Sequence, residues 1–96
     1  MALYALICLD KPGMLALRTQ LRPQHVDYLK SQEAVLRMCG PLLDPQGDMN
    51  GSLIVIEVDD EAAAKAFSAG DPFFKNGIFG SVDIRLFKRT MGSWSA

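Results

Sequence analysis

The chain has 96 residues, of which 49% are hydrophobic, and carries a formal net charge of −1. That length suits a single domain, which we place at residues 1–96 with a polar tail at 90–96. No basic run exceeds Lys88-Arg89, which argues against nucleic-acid binding, and no apolar run approaches the roughly 20 residues of a membrane span.

The first strand and the main helix are predicted in the N-terminal half. Residues 3–9 are continuously apolar and end at a turn sequence, which is typical of a strand buried on both faces. Pro23 suits the first turn of a helix, so we expect the main helix to run from near Pro23 to Cys39, after a separate turn or short helix at 14–20. His25 falls on the apolar stripe of that helix, together with Tyr28, Gln32, Val35, Leu36 and Cys39.

Three further strands and a second helix are predicted in the rest of the chain. Gly40-Pro41 is expected to stop the main helix, because Gly followed by Pro is a common helix ending. The elements that follow are a short strand at 41–44, a turn-rich connection at 45–51, a strand at 52–58, a helix at 61–67 capped by Asp59-Asp60 and closed by Gly70, a loop or single turn at 71–77, and a strand at 81–88.

This order of elements, β-α-β-β-α-β, predicts a ferredoxin-like α+β fold with an antiparallel four-stranded sheet. Its sheet order, 4-1-3-2, places the first and third strands in the centre, and these are the two strands with apolar residues on both faces. Two helices can cover only one face of such a sheet. The open face would leave a large apolar patch, so we expect a homodimer whose sheets pack face to face.

The topology is expected to bring four polar residues to one edge of the domain, namely Arg22, His25, Ser52 and Asp71. A histidine beside a carboxylate is the smallest acid–base unit, because the carboxylate fixes the imidazole tautomer and stabilises the protonated ring. His25 and Asp71 are therefore the candidate catalytic pair. Ser52 is a candidate for binding a substrate oxygen rather than a nucleophile, since no nucleophile elbow surrounds it.

Arg22 and two apolar residues complete the candidate site. Arg22 would bind an anionic group of the substrate, while Pro72 and Phe73 would contact its apolar part, with Phe74 as an alternative wall. Each residue also has a purely structural explanation: a hydrogen-bonded core histidine for His25, a turn start for Asp71-Pro72, a strand start for Ser52, core packing for the phenylalanines and a surface position for Arg22.

The two cysteines, Cys8 and Cys39, are far apart in the sequence and form no CxxC pair, and the chain has one histidine. These residues make a poor zinc site, so we interpret both cysteines as buried, reduced thiols and expect no metal. The N-terminus lacks the basic region that begins a signal peptide, and we therefore expect a cytoplasmic location.

An ordered set of short motifs resembles the YCII-related family of small bacterial proteins. The resemblance covers roughly residues 2–89 and rests on the segments 22–29 (RPQHVDYL), 40–42 (GPL), 51–55 (GSLIV), 69–73 (AGDPF), 77–79 (GIF) and 82–87 (VDIRLF). It implies a dimeric α/β barrel of two ferredoxin-like units, with His25 and Asp71 as the active-site pair. It also implies kinship with a dehydrochlorinase of aromatic breakdown and, in fold, with muconolactone isomerases. The chain departs from the family pattern at 48–50 (DMN), where a longer loop of small residues is common, and this leaves the substrate open.

Three functions agree with these residues. The leading hypothesis is a small enzyme that transfers protons through His25 in the elimination or isomerisation of a small organic acid or cyclic compound, without a metal or redox cofactor. The rival is a non-catalytic dimer that binds a small ligand or a partner protein in the same cleft. The third is a cofactor-independent monooxygenase of the dimeric α/β-barrel kind, which the few polar residues predicted for the pocket disfavour.

Overall fold

Four strands and three helices make up the protein in the computed structural model, which describes residues 1–93. The last three residues of the tail predicted at 90–96 lie outside the described residues. In chain order the elements are β1 (Ala2–Asp10), α1 (Leu15–Ser31), β2 (Leu36–Leu43), β3 (Met49–Val58), α2 (Glu61–Gly70), α3 (Pro72–Lys75) and β4 (Phe79–Phe87). The strands form one antiparallel sheet in the order β2-β3-β1-β4, which confirms the predicted ferredoxin-like α+β fold.

The core lies between the helices and one face of the sheet. In β1 the buried residues alternate, because successive side chains of a strand point to opposite faces. Each of them pairs across the ladder with a buried residue of β3, as in Leu6 opposite Ile54. Burying each large apolar side chain contributes about 1.5–3 kcal/mol, so this two-strand centre carries much of the fold's stability. The core cluster comprises Tyr4, Leu6, Cys8, Leu29, Ile54, Ile56, Val58, Ala64, Phe67, Phe73, Ile78 and Phe79.

Helix α1 differs from its prediction at both ends. It is one continuous helix from Leu15 to Ser31, with Pro23 in its interior, and it stops well before Cys39. A proline inside a helix donates no backbone hydrogen bond and costs about 3 kcal/mol. The helix tolerates Pro23 because it buries residues on both sides of it, with Arg18 before and His25 and Leu29 after. The prediction of a separate turn or short helix at 14–20, with the main helix beginning near Pro23, was therefore wrong.

Strand β2 takes the residues that the sequence assigned to the end of the main helix. It begins at Leu36 and contains Gly40-Pro41 in its interior, so these two residues do not terminate a helix. β2 lies at the edge of the sheet and pairs only with β3 among residues 1–93. An edge strand accepts proline because one side of its backbone needs no partner in the ladder. The strand is also broken by two register shifts, which is common at sheet edges.

The second half of the chain follows its prediction closely. Asp60 is the N-cap of α2, and its carboxylate accepts a hydrogen bond from the Ala63 backbone N–H at 2.8 Å. The predicted single turn after Gly70 is α3, and α2 itself extends to Gly70. β3 occupies 49–58 rather than 52–58, and the last strand occupies 79–87 rather than 81–88. No helix among the described residues combines the length and apolar character that crossing a membrane would require.

Candidate active site

Asp71 joins two helices and holds two neighbours with one oxygen atom. It is the C-cap of α2 and the N-cap of α3, and its Oδ1 accepts a hydrogen bond from the Phe73 backbone N–H at 2.9 Å. The same oxygen lies 2.8 Å from Nδ1 of His25. Asp71 is only 2% exposed, so both contacts form away from water. A short helix cap thereby fixes the position of a buried carboxylate.

His25 lies near the middle of α1 and not in its first turn, because the helix begins ten residues earlier, at Leu15. It is 8% exposed. Its ring stacks on the ring of Phe73, with the two centroids 4.0 Å apart and the planes inclined by 8°. The imidazole is therefore held by a hydrogen bond at its Nδ1 edge and by the Phe73 ring stacked on its face.

The contact with Asp71 also determines which nitrogen of His25 is available. A carboxylate can only accept hydrogen bonds, so Nδ1 carries a proton and donates it toward Oδ1. In the neutral ring Nε2 is then an unprotonated acceptor. No hydrogen bond from Nε2 to another residue occurs within 1–93. This is the arrangement that a general base requires.

Ser52 is buried on β3 and belongs to a network centred on Arg18. Arg18 is 2% exposed, and its Nη2 donates to Ser52 Oγ and to the Gly51 carbonyl, both at 2.6 Å. Its Nη1 donates to both carboxylate oxygens of Asp10, at 2.9 and 3.1 Å. Burial raises the pKa of Asp10, and the Arg18 guanidinium opposes that rise. The guanidinium carbon also lies 4.5 Å from the ring centroid of Phe73.

A cavity of about 160 Å³ opens between α1 and the β2–β3 pair. An apolar cavity of about 150 Å³ holds one benzene molecule, so this space fits a single six-membered ring. Its lining is mostly apolar, with polar groups converging from α1 and β3. The lining residues are Arg18, Arg22, His25, Val26, Leu29, Cys39, Gly40, Pro41, Met49, Ser52, Ile54 and Phe73.

The residues predicted from the sequence are distributed unevenly around this cavity. His25, Ser52 and Phe73 line it as buried residues, and Arg22 lines it as an exposed residue. Asp71 lies behind His25 and does not line the cavity. Pro72 is the first residue of α3 and is not part of the lining, while the ring of Phe74 is 45% exposed. The functional roles of these residues stay predictions.

Arg18 is the residue that the sequence analysis missed. It lies seven positions before His25 on α1, which places both side chains on the same helical face at about 100° per residue. That spacing is a usable signal, but only when α1 is extended through Pro23. Because the helix was expected to begin near Pro23, Arg18 fell in a separate turn and its position relative to His25 was lost.

Three other titratable groups are held in their neutral forms. Burial, together with the negative charges of Asp71 and Asp10, raises the pKa of Cys8 to about 12, although Arg18 opposes this. Partial burial of the Cys39 thiol raises its pKa, but Cys39 lies exposed on the edge strand β2, so the prediction that both cysteines are buried was wrong for this one. Burial and Asp71 raise the pKa of Tyr28, whose hydroxyl donates to the Phe67 carbonyl at 2.7 Å.

Within the described part of the chain, no group of three His, Cys, Asp or Glu side chains is placed to hold a metal ion.

Comparison with known proteins gives a family match and two informative relatives. The model of the YCII-related domain matches residues 2–88. A protein named YciI from Escherichia coli is 30% identical over 97 residues, which cover 91% of this chain and 97% of the relative. An uncharacterized protein from Haemophilus influenzae is 28% identical over 94 residues, covering 90% and 96% of the two chains.

A solved structure of stated activity is similar to this chain over most of its length. The 5-chloro-2-hydroxyhydroquinone dehydrochlorinase of Burkholderia phenoliruptrix, in complex with 2,5-dihydroxybenzoquinone, superposes with a TM-score of 0.84 at 28% identity. The superposition covers 92% of this chain and 95% of that one. An antibiotic biosynthesis monooxygenase superposes with a TM-score of 0.55 at 16% identity, covering 95% of this chain and 100% of that chain, which shows a shared fold.

Proposed function

Because the chain belongs to the YCII-related domain family, we propose that it is a small enzyme in which His25 and Asp71 form an acid–base pair. The reaction class is the elimination or isomerisation of a small cyclic compound or organic acid. One observation carries the proposal. The imidazole of His25 is held through Nδ1 by Asp71 at 2.8 Å and borders a cavity with the volume of one ring, and its Nε2 has no hydrogen-bond partner among residues 1–93.

In the elimination, Nε2 of His25 removes a proton from an acidic hydroxyl or carbon of the ring. The released electron pair moves through the ring, and the bond to an anionic leaving group breaks with its electrons on that group. His25 gains a positive charge in this step, which the carboxylate of Asp71 stabilises from the opposite side of the imidazole. In an isomerisation the same proton returns to another carbon. Neither reaction needs an external oxidant or reductant, because in the elimination the electron pair left behind by the proton replaces the pair that departs with the leaving group.

The structural neighbour supports an elimination in particular. Its stated activity is a dehydrochlorination, and the compound bound in its structure is a single ring. The cavity beside His25 has the volume for one such ring. Phe73 would provide an apolar wall, and Arg22 and Ser52 would bind oxygen or anionic groups of the substrate. Pro72 contributes to this proposal only by starting the turn that positions Phe73.

The test is release of chloride from 5-chloro-2-hydroxyhydroquinone, and from other chlorinated ring diols, under an inert atmosphere. We expect the wild-type rate to fall by about 100-fold or more in His25→Ala and in Asp71→Asn, since general acid–base catalysis contributes about 10²–10⁴-fold. Gln24→Ala is the matched control, because Gln24 is an exposed neighbour of His25 on α1. A second readout, exchange of ring protons with deuterium in D₂O, detects proton transfer to a bound ring even where no halide leaves.

The non-catalytic alternative predicts a different result. A binding module would show ring compounds that raise the melting temperature of the wild type but not of His25→Ala, with no chloride release and no deuterium exchange. That combination would overturn the enzymatic proposal and leave the cavity as a ligand site. Equal rates for wild type and His25→Ala would remove His25 from the chemistry altogether.

A homodimer and a cytoplasmic location complete the proposal. The sheet face opposite the helices carries apolar residues of the two central strands, and no helix of residues 1–93 lies over it. A second copy packed sheet to sheet would cover this face. Measurement of molar mass in solution tests the dimer, and a monomer at micromolar concentration would contradict it. The two free thiols agree with a reducing compartment.

A further inference from the structure

The hydroxyl proton of Ser52 has no acceptor among residues 1–93. Ser52 is 2% exposed and lines the cavity. Its Oγ accepts a hydrogen bond from Arg18 Nη2 at 2.6 Å, and no acceptor for its own proton lies within the described residues. A buried donor without an acceptor costs about 1–3 kcal/mol, unless a ligand or water accepts its proton. The cavity is the place from which such an acceptor can come.

Arg18 fixes the direction in which Ser52 donates. Its guanidinium is anchored by both oxygens of Asp10 and by the Gly51 carbonyl, so it has no freedom to turn away. A guanidinium can only donate hydrogen bonds, so the Ser52 hydroxyl must act as the acceptor toward Arg18. The hydroxyl proton is therefore left for a second partner, and its acidity is increased by the charge-assisted bond behind it.

The charges around the cavity favour an anion. The charged side chains that line it are Arg18 and Arg22, both from α1. The carboxylates that contact the lining residues Arg18 and His25 are Asp10 and Asp71, and neither is part of the lining. The remaining titratable groups of the lining are His25 on α1 and Cys39 on β2. A ligand in the cavity therefore meets positive charge first.

We propose that Ser52, positioned by Arg18, donates the hydrogen bond that recognises a negatively charged ring oxygen, so that the cavity selects single-ring phenolates or enolates over neutral rings. This inference rests on the proposed function for the location of the ligand and adds the ionic form in which the ligand binds. Ser52 touches the ligand, and Arg18 is a positioning residue that acts through Ser52.

The experiment uses 4-nitrophenol as the probe, since its anion absorbs visible light and its neutral form does not. Absorbance titrations with the wild-type protein give the pKa of the free and the bound probe. We expect a lower pKa for the bound probe. The matched neutral probe is 4-nitrotoluene, which has the same ring and nitro group but no acidic hydroxyl.

Ser52→Ala is the main variant, because it keeps the bonds from Arg18 to Asp10 and Gly51. We expect it to weaken 4-nitrophenolate binding by about tenfold or more and 4-nitrotoluene binding by less than about twofold. Arg18→Lys keeps the positive charge but loses the planar guanidinium, whose two nitrogens contact Asp10 and Ser52 at the same time. This variant, like Ser52→Ala, should lose the preference for 4-nitrophenolate over 4-nitrotoluene. A purely structural role of Arg18 would lower the affinity for both probes equally.

Two results would overturn the proposal. One is a wild-type protein that binds neither probe, or binds both with equal affinity and an unshifted pKa. The other is a preference for the anion that survives in Ser52→Ala and vanishes in His25→Ala, because this would assign the anion to a protonated imidazole. Binding is measured without turnover, so an anion preference in a protein that releases no chloride would preserve this inference while the enzymatic proposal fails.

Discussion

The rings of His25 and Phe73 lie parallel, 4.0 Å apart, and the backbone N–H of Phe73 donates to the same Asp71 oxygen that contacts His25. One short segment after α2 therefore supplies both the carboxylate at the edge of the imidazole and the ring against its face. The position of His25 depends on this segment as much as on its own helix.

Replacing Phe73 should test the stacking directly. We expect Phe73→Leu to lower the free energy of unfolding by about 1–3 kcal/mol, because it removes buried contacts and the aromatic pair. Urea unfolding followed by circular dichroism measures this change. Phe74→Leu is the matched control, since the Phe74 side chain is 45% exposed and its replacement should change stability little. Equal losses in the two variants would contradict the role given to Phe73.

The pair formed by Arg18 and Asp10 predicts a pH-dependent effect. Both side chains are almost fully buried, at 3% and 4% exposure, so Arg18→Met would leave an unpaired carboxylate and cost about 3–5 kcal/mol near neutral pH. Burial already raises the pKa of Asp10 above its ordinary value of 3.8, and loss of Arg18 would raise it further. A folded state with a raised carboxyl pKa binds protons more tightly than the unfolded chain, so its stability falls as the pH rises.

The deficit of Arg18→Met relative to the wild type should therefore shrink as the pH is lowered toward the raised pKa of Asp10. Unfolding by urea at a neutral and at a mildly acidic pH measures the deficit at each. Arg85→Met is the control, because Arg85 pairs with Asp83 on the surface, where both side chains are more than half exposed. A deficit that is the same at both pH values would show that Asp10 does not carry the effect.

Gly51 should tolerate no side chain. A Cβ built at this position would lie 2.5 Å from the Cys8 carbonyl oxygen, which is backbone and cannot move aside without shifting β1. We expect Gly51→Ala to destabilise the protein by about 1–3 kcal/mol in thermal or urea unfolding. At Gly40 a Cβ would meet nothing within 4 Å, so Gly40→Ala should leave stability unchanged or slightly raised. The reverse order of the two variants would argue against the register between β1 and β3.

The two cysteines should differ in reactivity toward a thiol reagent such as 5,5′-dithiobis(2-nitrobenzoate). Cys8 is 1% exposed with a pKa raised to about 12, so we expect it to stay unmodified in the native protein. Cys39 is exposed and should react, but more slowly than a free cysteine, because partial burial of its thiol raises its pKa. Since Cys39 lines the cavity, a bound ring compound should slow its modification further. Two thiols reacting at one rate would contradict this placement.

Much of the fold could be predicted from the sequence because the central strands are distinctive. The apolar runs in β1 and β3, and the alternation in β4, indicated which strands are central and which lies at the edge. The main errors concern the start and end of α1 and the start of β2, where Pro23 and Pro41 misled the prediction. Proline usually marks a boundary, but α1 accepts Pro23 through the burial on either side of it, and β2 accepts Pro41 because it is an edge strand. The apolar residues from Val35 onward suit a helix or a strand equally.

The candidate site was predictable in part for a related reason. The contact between His25 and Asp71 follows from the order of the elements. The error in the start of α1 does not affect it, because the contact depends on the packing of α1 against the start of α3. Arg18 was missed because its spacing from His25 becomes informative only when α1 is continued through Pro23, and because its partners Asp10 and Gly51 are distant in the sequence. Only the packed structure brings those partners together.

Asp71 is the last cap of α2 and the first cap of α3, and this limits which insertions and deletions α2 can accept. One residue added to or removed from α2 would turn its end by about 100° and shift it by about 1.5 Å, which would carry the carboxylate away from His25. The turn at 44–48 between β2 and β3 is not restricted in this way, because a change in its length leaves α1 and α2 in place. New substrates would then be accommodated by changes among the residues that line the cavity, while the length of α2 stays constant.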